Sequence, residues 1–296
     1  MWGTRSWRNA FEGLVLSHAW LALGGAAQCW WVTSHLSNNE QAWRPVLAVW
    51  CGVFAGYGLL RWSGARLSLT TANARIMVWH AERRRPMLVL SLFAAAVAAL
   101  SLWPATSLVW WIVLFMVLPW MLYLVPMRVG EVHIGLRQVP ALKLVVIVWC
   151  WLLATVALPV GFLAPDHFWM GLLGHGLVQG PLITGIALLF DLRDHAQDAP
   201  SMRTIPQVIG PRWTRVLAMV LFLYAATIVV SRGLLSYMSY VEGLVPWSEV
   251  LAGAGLVFGA VLAFRAGPAR SWAFYAVGVD GLLVLVPVLA WLGERL

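Results

Sequence analysis

The sequence predicts an all-α, polytopic membrane protein whose residues 1–296 form a single transmembrane domain. Hydrophobic residues make up 61% of the chain, charged residues make up 11%, and the mean hydropathy is +0.79. A soluble domain carries about 25% charged residues, so this chain lacks the polar surface that folding in water requires. The apolar residues also arrive in blocks of about 18–25, which is the length of a bilayer-crossing helix.

The apolar blocks predict nine transmembrane helices, with prolines near several of their ends. The predicted spans cover residues 11–34, 45–60, 86–103, 106–126, 140–164, 167–190, 212–231, 247–264 and 271–292. Arg5 and Arg8 precede the first block, as they would in a signal peptide. That block is too long for the apolar region of a signal peptide, so we expect it to be kept as a span.

The basic residues are distributed unequally between the two sides of the predicted bundle. Of the 20 lysines and arginines, 17 fall on the side that includes the N-terminus and only Arg44, Arg232 and Arg295 fall on the other. The positive-inside rule then predicts a multi-pass protein of the cytoplasmic membrane with its N-terminus in the cytoplasm and its C-terminus outside. Topology therefore explains the net charge of +8 without a nucleic-acid partner. The arginine-rich face would also attract the anionic head groups of the lipid bilayer.

Three carboxylates cluster where the sixth span ends. Asp191, Asp194 and Asp198 follow one another at i, i+3 and i+7, and these positions share one face if the helix continues through them. Like charges on one face repel each other, and a cation would remove that repulsion. Hard carboxylate oxygens suit Mg²⁺ that is held together with substrate phosphates. The alternative is a solvated helix end that binds nothing.

The segment after this cluster carries a resemblance to a known family. D-x-x-D-x-x-x-D at 191–198, then R-T-I-P-x-x-x-G at 203–210 and an apolar helix, resembles the second aspartate-rich motif of the UbiA superfamily. These intramembrane prenyltransferases move an isoprenoid chain from its diphosphate to an acceptor. The resemblance implies a nine-helix UbiA-type bundle, Mg²⁺ on Asp191, Asp194 and Asp198, and a polyprenyl diphosphate or other isoprenoid lipid as partner. Residues 135–143 and 278–282 look like a divergent branch of the superfamily.

The chain departs from the superfamily pattern at the first aspartate-rich motif, which is expected at the end of the second span. Residues 58–80 contain no acidic residue, and Arg61 and Arg66 stand where the carboxylates are expected. Guanidinium groups bind phosphate without a metal, so Arg61 and Arg66 are candidate substrate-binding residues beside one Mg²⁺. Positive charges at a membrane surface are also expected from topology alone, and diphosphate ionisation could instead have been lost.

Four further residues are candidates for contacting the diphosphate. Tyr123 and Arg128 resemble the tyrosine and basic residue that follow the fourth span in the family, although the usual lysine is missing. Lys143 begins the fifth span and either reaches the interface or binds substrate. Arg203 belongs to the R-T-I-P segment.

These observations leave three classes of function. The first is a UbiA-like prenyltransferase that uses Mg²⁺ and transfers the chain to an unknown acceptor, for which an aromatic compound is one candidate. The second is an inactive relative that binds isoprenoid lipid or acts as a structural subunit with membrane protein partners. The third is a transporter, which would need ionisable residues inside several spans; only Asp280 lies near the middle of one.

Overall fold

The computed structural model describes residues 11–36, 40–64, 71–124, 127–129, 132–134, 142–195, 203–239 and 246–296. The helices in these ranges are α1 Ala19–Leu36, α2 Trp43–Gly64, α3 Thr71–Glu82, α4 Arg84–Ser101, α5 Ser107–Leu124, α6 Leu142–Leu163, α7 Phe168–Asp194, α8 Ile205–Ser239, α9 Trp247–Arg265 and α10 Phe274–Gly293. Residues 11–16 form a short helical segment before α1. Two short strands, β1 Met127–Val129 and β2 Val132–Ile134, pair antiparallel.

A helix lies at the position of every predicted span, so the all-α membrane fold class is confirmed. Within the described ranges, seven helices are long and apolar enough to cross a membrane: α2, α4, α6, α7, α8, α9 and α10. Helix α5 holds a shorter apolar stretch, Ser107–Leu122, and α1 carries Gln28, Thr33, Ser34 and His35 among its apolar residues. Nine membrane crossings therefore remain a prediction.

Helix α1 is more polar than a typical span because it packs against other helices on several sides. It contacts α2, α6 and α10, and both Gln28 and Thr33 are buried. Gly24 and Gly25 allow the close approach: a Cβ atom on Gly24 would lie 2.8 Å from the Cβ of Leu283 in α10. The surroundings of α1 are thus largely protein, where Gln28 and Thr33 donate to the carbonyls of Leu283 and Trp30, partners that lipid does not offer.

A layer of buried polar side chains ties α1, α6, α7 and α10 together. The hydroxyl of Thr155 donates to Oε1 of Gln179 at 2.6 Å, and Nε2 of Gln179 donates to the carbonyl of Gln28 at 3.2 Å. The side-chain amide of Gln28 donates to the carbonyl of Leu283 at 3.0 Å. We call these four residues the central polar layer. Each bond crosses between helices, so the layer fixes their register inside an otherwise apolar bundle.

The structure differs from the sequence-based expectation in two connections. The predicted cytoplasmic connection 61–85 contains helix α3, whose alternating polar and apolar residues gave no transmembrane signal. Helix α8 begins at Ile205 instead of residue 212 and is broken at Gly210, whose φ of 82° is the left-handed conformation that glycine adopts without strain. Gly210 is the last residue of the R-T-I-P-x-x-x-G motif, which indicates that this glycine shapes the kink.

The tight contact at Gly24 can be tested with a single methyl group. Gly24→Ala is expected to destabilise the protein by about 1–3 kcal/mol. The added carbon would clash with the Cβ of Leu283, which cannot move away without a shift of the backbone. The matched control is Gly52→Ala in α2, where nothing lies within 4 Å of the new Cβ. Thermal unfolding in detergent measures both variants, and equal melting temperatures for the two would contradict the close α1–α10 packing.

Candidate functional site

A cavity of about 190 Å³ opens at one end of the bundle between α1, α2, α6, α7 and α10. Most of its wall is apolar, with side chains such as Ile147, Trp151 and Ile183. Titratable side chains also line it: His18, Tyr57, Arg61, Lys143, Asp191, Arg193 and Asp280. We call this space the amphipathic cavity. An apolar pocket with a few converging polar groups is the usual form of a small-molecule site.

The ion pair between Lys143 and Asp191 joins α6 to α7 in the cavity wall. Nζ of Lys143 lies 2.6 Å from Oδ1 of Asp191, and the side chains are 22% and 4% exposed. Two opposite charges this close and this buried stabilise each other only as a pair, because either one alone would be an uncompensated charge in a weakly polar environment. Asp191 is therefore held by a cation from another helix.

A second ion pair forms between sequence neighbours on the last turn of α7. Arg193 binds Asp194 in a bidentate manner, with Nε 2.7 Å from Oδ1 and Nη2 3.0 Å from Oδ2. The guanidinium carbon also lies 4.7 Å from the ring centre of Phe190 and 5.6 Å from that of Tyr275 in α10. Cation–π contacts of this kind hold an arginine in one orientation, so Arg193 is fixed at the cavity wall.

Arg61 and His18 form a third polar group at the cavity. Nε of Arg61 donates to Nε2 of His18 at 3.3 Å, and the His18 ring lies 5.2 Å from Tyr57 and 5.4 Å from His80 of α3. His18 has a φ of 64°, a conformation in which a residue other than glycine is strained. Burial lowers the pKa of His80, the hydrogen bond between its ring nitrogen and the carbonyl of Leu16 at 3.0 Å partly offsets this, and the charge of Arg61 lowers the pKa further.

Asp280 reaches the cavity because α10 begins with a π-helical segment, Phe274–Val279. The amide of Asp280 donates to the carbonyl of Tyr275 five residues earlier, at 3.0 Å. One-turn π segments occur frequently at functional sites, since the extra residue turns the following side chain. The sequence marked Asp280 as a buried charge, and the structure places it in the same cavity as Lys143 and Arg193.

The structure brings together part of the predicted site. Helix α7 extends through Asp191 and Asp194, so their placement on one helical turn agrees with the expectation, and Arg61 and Lys143 line the amphipathic cavity. Arg203 is exposed and is not part of the cavity lining. The binding roles predicted for these residues remain predictions.

The other predicted site residues lie where the structure gives no side-chain geometry. Asp198 and Arg66 fall outside the described residues. Tyr123 is in the last turn of α5 and Arg128 is in β1, opposite His133, but their side chains are not described. Their predicted contacts with substrate also remain predictions.

The donor set of the described residues does not fit a Mg²⁺ site as it stands. Lys143 already neutralises Asp191, and Arg193 chelates both oxygens of Asp194. Across the described ranges, no three acidic, histidine or cysteine side chains are grouped closely enough to hold a metal ion. A Mg²⁺ ion bound to Asp191 and Asp194 would have to displace Lys143 from the first and Arg193 from the second.

Sequence reasoning missed His18, Tyr57 and Arg193 as cavity residues. His18 and Tyr57 lie inside apolar blocks, and their approach depends on the packing of α1 against α2, which local patterns do not reveal. Arg193 had a usable signal, because it lies between two of the clustered aspartates and a basic residue there neutralises them.

These features define a polytopic α-helical membrane protein with an amphipathic, cation-lined cavity at one end of its helix bundle. No family model and no curated protein matches the sequence. The fold, in contrast, has clear counterparts among solved structures.

Two of these are UbiA homologues from archaea. One, from Archaeoglobus fulgidus and bound to GPP and Mg²⁺, superposes with a TM-score of 0.62 at 11% identity, over 96% of this chain and 99% of that chain. The other, an apo structure from Aeropyrum pernix K1, gives a TM-score of 0.62 at 12% identity, over 96% of this chain and 97% of that chain. The chain therefore has the UbiA fold, as the resemblance in its sequence implied.

Replacing Lys143 tests the ion pair in the cavity wall. Lys143→Met is expected to lower the free energy of unfolding by about 3–5 kcal/mol, because it leaves Asp191 as an uncompensated buried charge. The double variant Lys143→Met/Asp191→Leu is expected to recover most of that loss.

The control for this experiment is Arg83→Gln, which removes the exposed ion pair of Arg83 with Glu82 and is expected to change stability little. Equilibrium unfolding of all variants in detergent gives the comparison. A Lys143→Met protein as stable as Arg83→Gln would contradict the pairing.

Proposed function

We propose that this protein is a UbiA-like intramembrane prenyltransferase that binds a polyprenyl diphosphate in the amphipathic cavity. The observation that carries the proposal is the combination, within a UbiA fold, of an apolar cavity wall with Arg61, Lys143 and Arg193 in the same lining. An isoprenoid chain needs the apolar surface, and a diphosphate needs cationic donors. The GPP bound to the Archaeoglobus fulgidus homologue is a ligand of the same class.

The cavity cations would bind the diphosphate while they keep their carboxylates. Lys143 and Arg193 hold carboxylates, but a lysine has three N–H donors and an arginine has five. The donors that do not contact a carboxylate can bind phosphate oxygens, so Asp191 and Asp194 stay neutralised. Such pre-positioned donors stabilise the charge that develops on a leaving diphosphate.

The reaction follows from that charge stabilisation. The bond between the allylic carbon and the diphosphate oxygen breaks, and both electrons leave with the diphosphate. An electron pair of the acceptor, such as an aromatic ring, then forms the new bond to the allylic cation. Asp280, the acidic residue of α10 in the cavity lining, is placed to take the proton that the acceptor releases.

The contribution of Mg²⁺ to diphosphate binding has to be measured. The superfamily resemblance puts Mg²⁺ on Asp191, Asp194 and Asp198, and bound Mg²⁺ would supply further neutralisation of the diphosphate. The geometry of the described residues favours binding of the diphosphate mainly by Lys143, Arg61 and Arg193. On this account, binding of the diphosphate depends on these side chains even where Mg²⁺ is present.

A specific observation favours a second candidate, an inactive relative that binds isoprenoid lipid. The acidic residues of the first motif are replaced, and Asp191 and Asp194 are occupied by cations. An ion-paired cavity of this kind can hold a diphosphate without ionising it. Binding and release of pyrophosphate therefore have to be measured separately.

The cavity also has a proposed orientation. Its lining includes the beginning of α1 and the end of α2, which the charge distribution assigns to the cytoplasmic side. We therefore propose that the protein lies in the cytoplasmic membrane with its N-terminus inside and its C-terminus outside. In that orientation the mouth of the cavity faces the cytoplasm.

The experiment compares Arg61→Gln with Arg84→Gln in purified protein. Arg84 belongs to the same predicted face but stacks on Trp62 and is not part of the cavity lining. Binding is measured with a non-ionisable thio analogue of geranylgeranyl diphosphate. Release of pyrophosphate is measured with geranylgeranyl diphosphate, with and without Mg²⁺, in the presence of a membrane extract that supplies acceptors.

Arg61→Gln is expected to weaken binding about tenfold or more, the effect of one charge-assisted hydrogen bond, whereas Arg84→Gln binds like the wild type. Release that accompanies binding in the wild type supports the transferase. Binding without release at any Mg²⁺ concentration supports the lipid-binding relative, and binding equally strong in both variants contradicts the site.

A further inference from the structure

A second cavity lies at the opposite end of the bundle from the amphipathic cavity. It has a volume of about 80 Å³ and is lined by α1, α7, α8 and α9. Its polar lining comprises His35, His175, Gln179, Arg232, Ser248 and Glu249. We call it the distal cavity. Leu21 of α1 lines the amphipathic cavity, and Trp31 of the same helix lines the distal cavity. A helix rises 1.5 Å per residue, so these two positions are about 15 Å apart along the helix axis.

Arg232 is the arginine of the distal cavity lining, and Glu249 is the carboxylate in the same lining. Arg232 lies near the end of a long apolar helix and is partly buried, and its guanidinium donates to the carbonyl of Gly174 in α7. Among the residues that the structure describes, no carboxylate forms an ion pair with Arg232. A guanidinium has five N–H donors, so a single carbonyl leaves most of them available to an anion.

Further donors surround this guanidinium. The rings of His35 and His175 lie 5.6 Å apart, and a ring nitrogen of His35 is bonded to the carbonyl of Trp31 at 2.7 Å. The side chain of Trp31 completes this wall, and none of the described residues accepts a hydrogen bond from its buried indole N–H.

The surroundings of the distal cavity point to a lipid environment. Leu173 and Leu177 on α7 are 64% and 44% exposed, and Leu234 and Leu235 on α8 are 50% and 65% exposed. These apolar surfaces flank the helix ends that hold His175 and Arg232. An arginine beside such apolar surfaces can bind the phosphate group of a lipid as well as free phosphate.

We propose that the distal cavity is a binding site for a phosphate group, distinct from the site proposed for the isoprenoid diphosphate. Arg232 and His175 donate to the phosphate oxygens. Ser248 and Glu249, on the first turn of α9, add acceptors beside these donors. Donors for a phosphate next to acceptors for a hydroxyl fit a phosphoglycerol head group, and inorganic phosphate shares the same anionic group.

Two arms of one experiment separate the two sources of phosphate. Purified wild-type protein is incubated with phosphatidylglycerol, or with diacylglycerol as the phosphate-free comparison, and bound lipid is counted by native mass spectrometry. In the other arm, inorganic phosphate is titrated and the melting temperature is recorded. The variants are Arg232→Gln and His175→Phe, and the control is Arg295→Gln, an exposed arginine stacked on Trp291 at the same predicted face.

Arg232→Gln is expected to weaken phosphatidylglycerol binding about tenfold or more, because it removes a charge-assisted hydrogen bond. His175→Phe is expected to weaken it about threefold, because it removes a neutral hydrogen bond. Arg295→Gln should bind like the wild type. Binding of the lipid without an effect of inorganic phosphate identifies the ligand as a lipid head group. An effect of inorganic phosphate without lipid binding identifies it as a free anion. Either outcome supports the site.

Equal binding of diacylglycerol and phosphatidylglycerol, or no response in either arm, would overturn the proposal. If Arg232→Gln does not fold, His175→Phe decides, because it keeps an aromatic ring at this position and removes the N–H donor, and unchanged binding in that variant would contradict the proposal. Binding of the geranylgeranyl diphosphate analogue is recorded in parallel and should be unchanged, so the two proposals can fail independently.

Discussion

The central polar layer is the constraint on which the rest of the structure depends. Thr155, Gln179 and Gln28 carry polar groups at a depth where lipid offers no hydrogen-bond partner, so their partners have to come from the protein. Three such bonds cross between α1, α6, α7 and α10, while Oε1 of Gln28 accepts from none of the described residues. Because these helices also line the amphipathic cavity, the layer fixes the positions from which the charged side chains reach it. It also lies between that cavity and the distal cavity.

The amphipathic cavity shows how charges are kept in an apolar bundle by pairing. Lys143 and Arg193 each hold a carboxylate of α7, and Arg61 contacts His18. In the pattern that the superfamily resemblance implies, carboxylates on two helices would hold metal ions against the diphosphate. Here basic side chains lie next to the remaining carboxylates. The same fold therefore offers lysine and arginine side chains, instead of bound metal ions, to the diphosphate.

Sequence patterns predicted the parts of this structure that depend on local composition. The apolar blocks gave the positions of the helices, and the i, i+3 spacing put Asp191 and Asp194 on one turn of α7. The partner of Asp191 was beyond such reasoning, because Lys143 belongs to another helix and the contact exists only after α6 and α7 pack. The π-helical segment before Asp280 and the strained φ of His18 likewise come from packing, since neither has a local sequence signal.

The most direct test of the cation-based account is an experimental structure with the thio analogue of geranylgeranyl diphosphate, determined once with Mg²⁺ and once with a chelator. The account predicts the diphosphate in the amphipathic cavity in both, within hydrogen-bonding distance of Arg61, Lys143 and Arg193. A diphosphate present only with Mg²⁺, bridged by the metal to Asp191 and Asp194 with Lys143 and Arg193 displaced, would contradict it.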